Sequence, residues 1–175
     1  MADRFFRRAS AADLDQIMRA IAAGKRQLQV LGADQWSFDG YPSRADVAAD
    51  IDARLAHVLV EPATAPTTSD IVVASIVLDP RPDPWYDQPG LAWRTPREGT
   101  LVLHRLVVAP EYAGQGVARD VLAYAATVSP NGHMRADTSA ENAPMRRVFA
   151  ACGFREAGEI VYTDFGEIRC VAYER

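Results

Sequence analysis

Apolar residues in the first third of the chain fall at helical spacing. Leu14, Ile17, Met18, Ile21 and Leu28 line one face of a helix, and Ser10 with Asp13 three residues later supplies a reciprocal capping pair at its start. A polar loop, GADQWSFDGYP, ends that pattern at residues 32–42. Ser43 and Asp46 repeat the capping signal, and Val47, Ile51 and Leu55 at four-residue intervals predict a second helix. The period then changes. His57 to Glu61 and Asp70 to Leu78 are short runs rich in valine and isoleucine, separated by a Pro/Thr/Ser segment, and they read as two strands of a hairpin.

Residues 79–99, DPRPDPWYDQPGLAWRTPREG, carry five prolines and three aromatics. Proline bars a regular helix, and a mere spacer needs no such aromatic content, so the segment reads as a functional loop. Thr100 to Val108 is the strongest strand signal, continuous enough for a central position with both faces covered. Val117, Val121, Leu122 and Ala125 then mark a helix, SPNG breaks it, and a strand at about His133 to Thr138 completes a β-α-β unit. Asn142 begins another helix, with Met145, Val148, Phe149 and Cys152 on its apolar face and Gly153 as its C-terminal cap. Strands near Glu159 to Thr163 and Ile168 to Tyr173 close the chain. No repeat or linker interrupts this order, so residues 1–175 are expected to form one α/β domain (α+β by some schemes).

Composition narrows the function classes. A chain of 175 residues can bury a substantial core in one unit, and 49% hydrophobic with 24% charged residues fits a globular protein. The net charge of -4, with Lys25 the sole lysine, gives no basic field for nucleic acid. MADRFFRRAS lacks the apolar stretch of a secretory signal, and no window approaches the roughly 20 apolar residues that would span a bilayer. A cytoplasmic location away from membranes is expected. Cys152 and Cys170 have neither CxxC spacing nor paired histidines nearby, so no metal site is expected.

The segment RLVVAPEYAGQGVARDVL runs strand, turn, helix, with Gly114 and Gly116 where the helix begins. Such a turn offers unpaired N–H groups and the positive end of a helix dipole to an anion, and phosphate is the natural guest. The spacing matches neither GxxxxGK[ST] nor GxGxxG with a following strand-end acid. It resembles the acyl-CoA-binding signature of the GNAT superfamily. AGQGVA, Ala113 to Ala118, stands where that family has Q/R-x-x-G-x-G/A; LVVAPEY resembles its strand end and loop; NAPMRRVFAACGF, Asn142 to Phe154, resembles its N-x(6)-[YF]-x-x-x-GF block. QWSFDGYP, Trp93, LHRLVV and GEIRCVAYE extend the resemblance to a bacterial subgroup over most of the chain. Ala113 replaces the usual Gln or Arg of the pyrophosphate turn.

The resemblance implies a mixed, mostly antiparallel central sheet with a splayed strand pair and helices on both faces. It implies acetyl-CoA as cofactor and direct attack by an amine on the thioester, so the protein orients two reactants and removes one proton. In that scheme Leu106, Val107 and Val108 pair with the pantetheine arm, and the Val107 N–H stabilises the oxyanion. Gly114, Gln115, Gly116, Val117, Ala118 and Arg119 surround the pyrophosphate, Ala113 opens that turn, and Asn142 binds the pantetheine or simply caps its helix.

His104 is the candidate general base: it lies two residues before Leu106, alternation turns it to the face opposite Arg105, and it matches the base histidine of the arylalkylamine acetyltransferases. A histidine merely packed in the sheet is the competing reading. Asp137 at the next strand end is a second candidate, or a structural turn acid, and Glu111 is a third. The family's thiolate-protonating tyrosine is replaced by Phe149, with Tyr162 and Tyr112 as substitutes. Gln35, Trp36 and Tyr41 in the first loop, with Trp85, Tyr86 and Trp93 in the second, form a candidate aromatic wall over the amine or else staple their loops.

The expected partner is a small-molecule or peptide amine, and a homodimer is a compatible assembly. A protein N-terminal acetyltransferase and a non-catalytic acyl-CoA-binding module are the alternatives.

Overall fold

The computed structural model describes residues 3–38, 40–63, 69–164 and 166–175, and both expected capping pairs are present in it. The Ser10 amide donates to the Asp13 carboxylate at 2.7 Å, while Ser43 Oγ accepts the Asp46 amide at 3.2 Å and Asp46 accepts the Ser43 amide at 2.7 Å. These bonds satisfy amides that a helix start leaves orphaned. The elements run β1 (Phe5–Arg8), α1 (Leu14–Val30), α2 (Arg44–Asp52), β2 (Ala56–Glu61), β3 (Ile71–Asp79), β4 (Leu101–Val108), α3 (Val117–Val128), β5 (Met134–Ser139), α4 (Ala143–Ala151), β6 (Arg155–Tyr162) and β7 (Ile168–Glu174). Leu55 falls outside α2, because the chain turns at Arg54, whose φ is 62°.

The strands make one sheet in the order β1-β2-β3-β4-β5-β7-β6. Every neighbouring pair is antiparallel except β4–β5, which is parallel because α3 forms the crossover. Strand alternation divides the core by face. Leu59, Val73 and Leu103 pack against Val117, Val121 and Leu122 of α3 and Phe149 of α4. Val58, Val60 and Val72 point the other way, onto Ile17 and Ile21 of α1 and Val47 and Ile51 of α2. The helices therefore cover both faces, as the resemblance implies.

β1 has no counterpart in the sequence reading. Its four residues, FFRR, show no alternation, and the strand is held by antiparallel pairing with β2 and by Phe6 stacking flat on Tyr124 at 4.1 Å. β6 starts at Arg155, four residues before its expected first residue, because a register shift between Glu156 and Gly158 breaks the alternation there.

Residues 79–99 cover the part of the sheet that α1 and α2 do not reach. Tyr86 joins Val102, Ala157, Ile160 and Ala172 in a third cluster, with Trp85, Leu91 and Trp93 beside it. The loop also binds the β6 backbone: the Ala92 amide donates to the Ala157 carbonyl at 2.6 Å, and the Gln88 side chain both donates to and accepts from Val161 at 3.0 Å. Its far end is fixed by buried Glu174, which accepts from the Arg94 and Thr95 amides and pairs with Arg155. Among the described residues, no helix is long and apolar enough to cross a membrane.

Candidate active site

The site originates in one extra residue on β4. Val77 faces His104 and Ser75 faces Val107, so two residues, Arg105 and Leu106, oppose Ile76 alone. This is a β-bulge, and Arg105 occupies the left-handed region with φ 52°. β4 pairs with β5 only at Leu101–Met134 and Val102–Arg135, below the bulge, and above it the two strands diverge. Alternation also fails at the bulge: His104 and Arg105, expected on opposite faces, both line the same cavity.

A cleft of about 520 Å³ fills the divergence. Its walls are β4 from Leu103 to Val108 and β5 from Ala136 to Thr138, and its ends are the starts of α3 and α4. Ala109 donates its N–H to the Val73 carbonyl at 2.9 Å. In the regular stretch beyond the bulge such bonds alternate, so the Val107 N–H also faces β3, while that of Val108 faces the open gap. The Val107 N–H, the expected oxyanion donor, is thus turned toward β3. Gly114 and Gly116 have φ of 74° and 83°, a conformation that costs other residues strain, and an added Cβ at either would meet nothing within 4 Å. The turn thus holds the start of α3 beside open space, where a pyrophosphate can seat. Ala113, Val117, Ala118 and Arg119 line the same cleft. Asn142 caps α4, accepting the Met145 amide at 3.3 Å and donating to Thr138 at 2.9 Å.

A second cavity, about 350 Å³, shares His104, Asp137, Gln35 and Trp36 with the first. Burial pushes the His104 imidazole below its ordinary value, Asp137 and Asp83 pull it back up, and Arg105 opposes them. Its Nε2 lies 3.8 Å from the Asp83 carboxylate. A histidine so placed is neutral at pH 7 and able to accept a proton. The Asp137 carboxylate accepts the hydroxyls of Tyr86 at 2.8 Å and Tyr162 at 2.9 Å. Burial, reinforced by Asp137, raises both phenols far above their usual range, so each keeps its proton.

The model of the acetyltransferase (GNAT) family matches residues 29–154. The chain belongs to the GNAT family. Solved structures agree at the level of fold. A GNAT acetyltransferase from Streptococcus agalactiae is similar with a TM-score of 0.85 at 23% identity, covering 98% of this chain and 94% of that one. A Salmonella typhimurium protein solved with its cofactor acetyl-CoA gives 0.61 at 14% identity, covering 99% and 93%. The ribosomal-protein-S18-alanine N-acetyltransferase from Escherichia coli gives 0.57 at 15%, covering 98% and 92%. The sequence matches no curated protein. GNAT enzymes use acetyl-CoA, and the open turn and unpaired β4 edge suit its phosphates and its amide-bearing arm.

Set on this GNAT frame, the residues singled out from sequence divide. Gln35 accepts from Thr138 Oγ1 and the Ser139 amide, and Trp36 packs beside Gly24, so both stand at the junction of the two cavities. Tyr41 lines the second cavity, with its hydroxyl 2.6 Å from Arg105. Trp93 is not brought to either cavity: it donates to the Tyr86 carbonyl at 2.8 Å, with Arg135 over its ring, and staples its loop. Gln115 bonds back to the Glu111 carbonyl and lines neither cavity. Phe149 lines the cleft, packed on Phe154 and Tyr173. Asp50, Asp83, Arg81 and Arg105 went unrecognised in the sequence because nothing in their spacing marks a site. The capping frame SRADVAAD does place Asp50 on α2 and was the available signal for it.

Proposed function

We propose that this GNAT protein transfers the acetyl group of acetyl-CoA to a primary amine of a small molecule or peptide. The observation that carries the reading is that two cavities meet across the β4–β5 gap, with His104 and Asp137 lining both. Acetyl-CoA supplies the thioester: the amine nitrogen bonds to its carbonyl carbon, the C–S bond breaks, and CoA departs as thiolate. The protein orients and moves the proton. The α3 turn seats the pyrophosphate, the exposed β4 edge aligns the arm, and the Val108 amide faces developing negative charge on oxygen. His104 takes the amine proton, and Asp137 steadies the resulting imidazolium.

Tyr112 donates its hydroxyl to Glu61, Tyr162 donates to Asp137, and Phe149 has no proton to give. Departure of CoA without a protein acid is therefore part of the reading, since a thiol with a pKa of about 8.5 is a competent leaving group. The same absence favours a second reading, a non-catalytic acyl-CoA-binding module. Calorimetry with CoA and a CoA-release assay over a broad amine panel separate them. Binding with release on at least one amine is expected. Binding without release on any amine establishes the module, and no binding of CoA or acetyl-CoA overturns both.

A further inference from the structure

The second cavity is more specific than a generic amine site, and its character can be read from its charges, on the footing that the protein acetylates amines. Four aspartates line it against two arginines. Arg105 is committed to Asp50, with bonds of 2.8 and 2.7 Å, and Arg81 to Asp79, with its closest bond 2.6 Å. Asp83 and Asp137 remain. Among the described residues neither has an arginine or lysine within ion-pairing distance. Asp83 Oδ1 takes the Trp85 amide at 2.9 Å, and Asp137 Oδ1 takes two phenols. These neutral donors hold the carboxylates in place without cancelling their charge. The Asp83 side chain is only 18% exposed, and a carboxylate withdrawn from water without a counter-charge is costly unless something supplies one.

The chamber has room for that something, and its position fixes what it is. It opens on the gap through which the acceptor must reach the cleft. Asp137 lines both cavities, while Asp83 lines the chamber alone, 3.8 Å from the His104 Nε2, so an amine that reaches His104 from the chamber meets both carboxylates. The rings of Trp85 and Tyr162, 5.1 Å apart, line the same chamber and offer a surface that favours alkyl chains and cations. A carboxylate on the acceptor would meet two like charges there.

We propose that the acceptor is a dication: a primary amine joined by a short alkyl chain to a second cationic group, with no carboxylate.

A matched set on one four-carbon frame tests this. 1,4-Diaminobutane carries two cations, 1-aminobutane one, and ornithine two cations with a carboxylate; kcat/KM is measured for each by CoA release. The expected order is diaminobutane, then aminobutane, then ornithine, with at least about tenfold between first and second from a partly buried charge pair. Asp83→Asn keeps the Trp85 cap through its amide oxygen, and it is expected to shrink the diamine advantage about fivefold. Release on any probe without that order, or an advantage untouched by Asp83→Asn, overturns the dication proposal and leaves acetyl transfer standing. If no probe gives release, each is titrated by calorimetry into CoA-loaded protein. The same order in affinity then supports the chamber's selectivity, while any other order, or no binding, overturns the dication proposal and leaves acetyl transfer to be decided on the broad amine panel.

Discussion

Arg105 sits at the bulge with an unfavourable backbone conformation, so whatever holds its side chain holds the gap open. Its side chain is 17% exposed, and the guanidinium makes two bonds to Asp50, at 2.8 and 2.7 Å, and one to the Tyr41 hydroxyl, at 2.6 Å. Asp50→Ala removes the only carboxylate paired with it among the described residues and leaves a largely buried cation on one neutral acceptor. Breaking a buried pair from one side costs about 3–5 kcal/mol. For a chain of this size each kcal/mol moves the melting temperature roughly 2–4 °C, so a fall of roughly 6–20 °C is expected. Asp50→Ala/Arg105→Ala removes the orphaned charge as well and should melt above Asp50→Ala alone. Thermal and urea unfolding of the four members of this cycle measure the coupling, and CoA release reports the gap. A fall of less than about 3 °C for Asp50→Ala, or strictly additive single substitutions, would refute the brace.

Two further outcomes follow from the site. His104→Gln is expected to lower kcat by about 10²–10⁴ with CoA affinity unchanged. Because burial holds the imidazole below 6.5, wild-type kcat/KM should be retained down to pH values beneath 6.5 and lost as the ring protonates, and the variant should lack that limb; a full wild-type profile in the variant removes His104 as base. Gly116→Ala meets no steric neighbour, but the left-handed backbone at φ 83° costs an alanine about 1–2 kcal/mol; a free turn that relaxes out of this conformation must regain it on binding, so CoA affinity by calorimetry should fall roughly tenfold. Unaltered affinity together with an unaltered melting temperature, so that the cost appears in neither, would refute this account of the α3 turn.

Much of this architecture was legible where local chemistry is self-announcing. Ser10 and Ser43 with their partner acids opened helices, Thr100 to Val108 stated a covered strand, and Gly114 and Gly116 stated a turn with room beside it. The bulge was not legible, because an arginine at φ 52° is fixed by a distant carboxylate on α2 and leaves no trace in its own neighbourhood. The same reason hid the phenols on Asp137, contributed from positions 51 residues before it and 25 after. Trp93 shows the converse: aromatic content marked the loop as more than a spacer, but composition cannot say which rings meet the cavity and which anchor the chain.

The proline-rich segment has one consequence for how this protein can change. Surface connections usually absorb insertions freely, since their length is slack. Here the run from Asp83 to Ala92 is a bridge tied at both ends: one abutment is the outer margin of the sheet at Ala157 and Val161, the other the carboxylates beside His104. A residue gained or lost between those abutments would be registered at the reacting nitrogen, so new acceptors are more readily reached by exchanging side chains along the span than by altering its length.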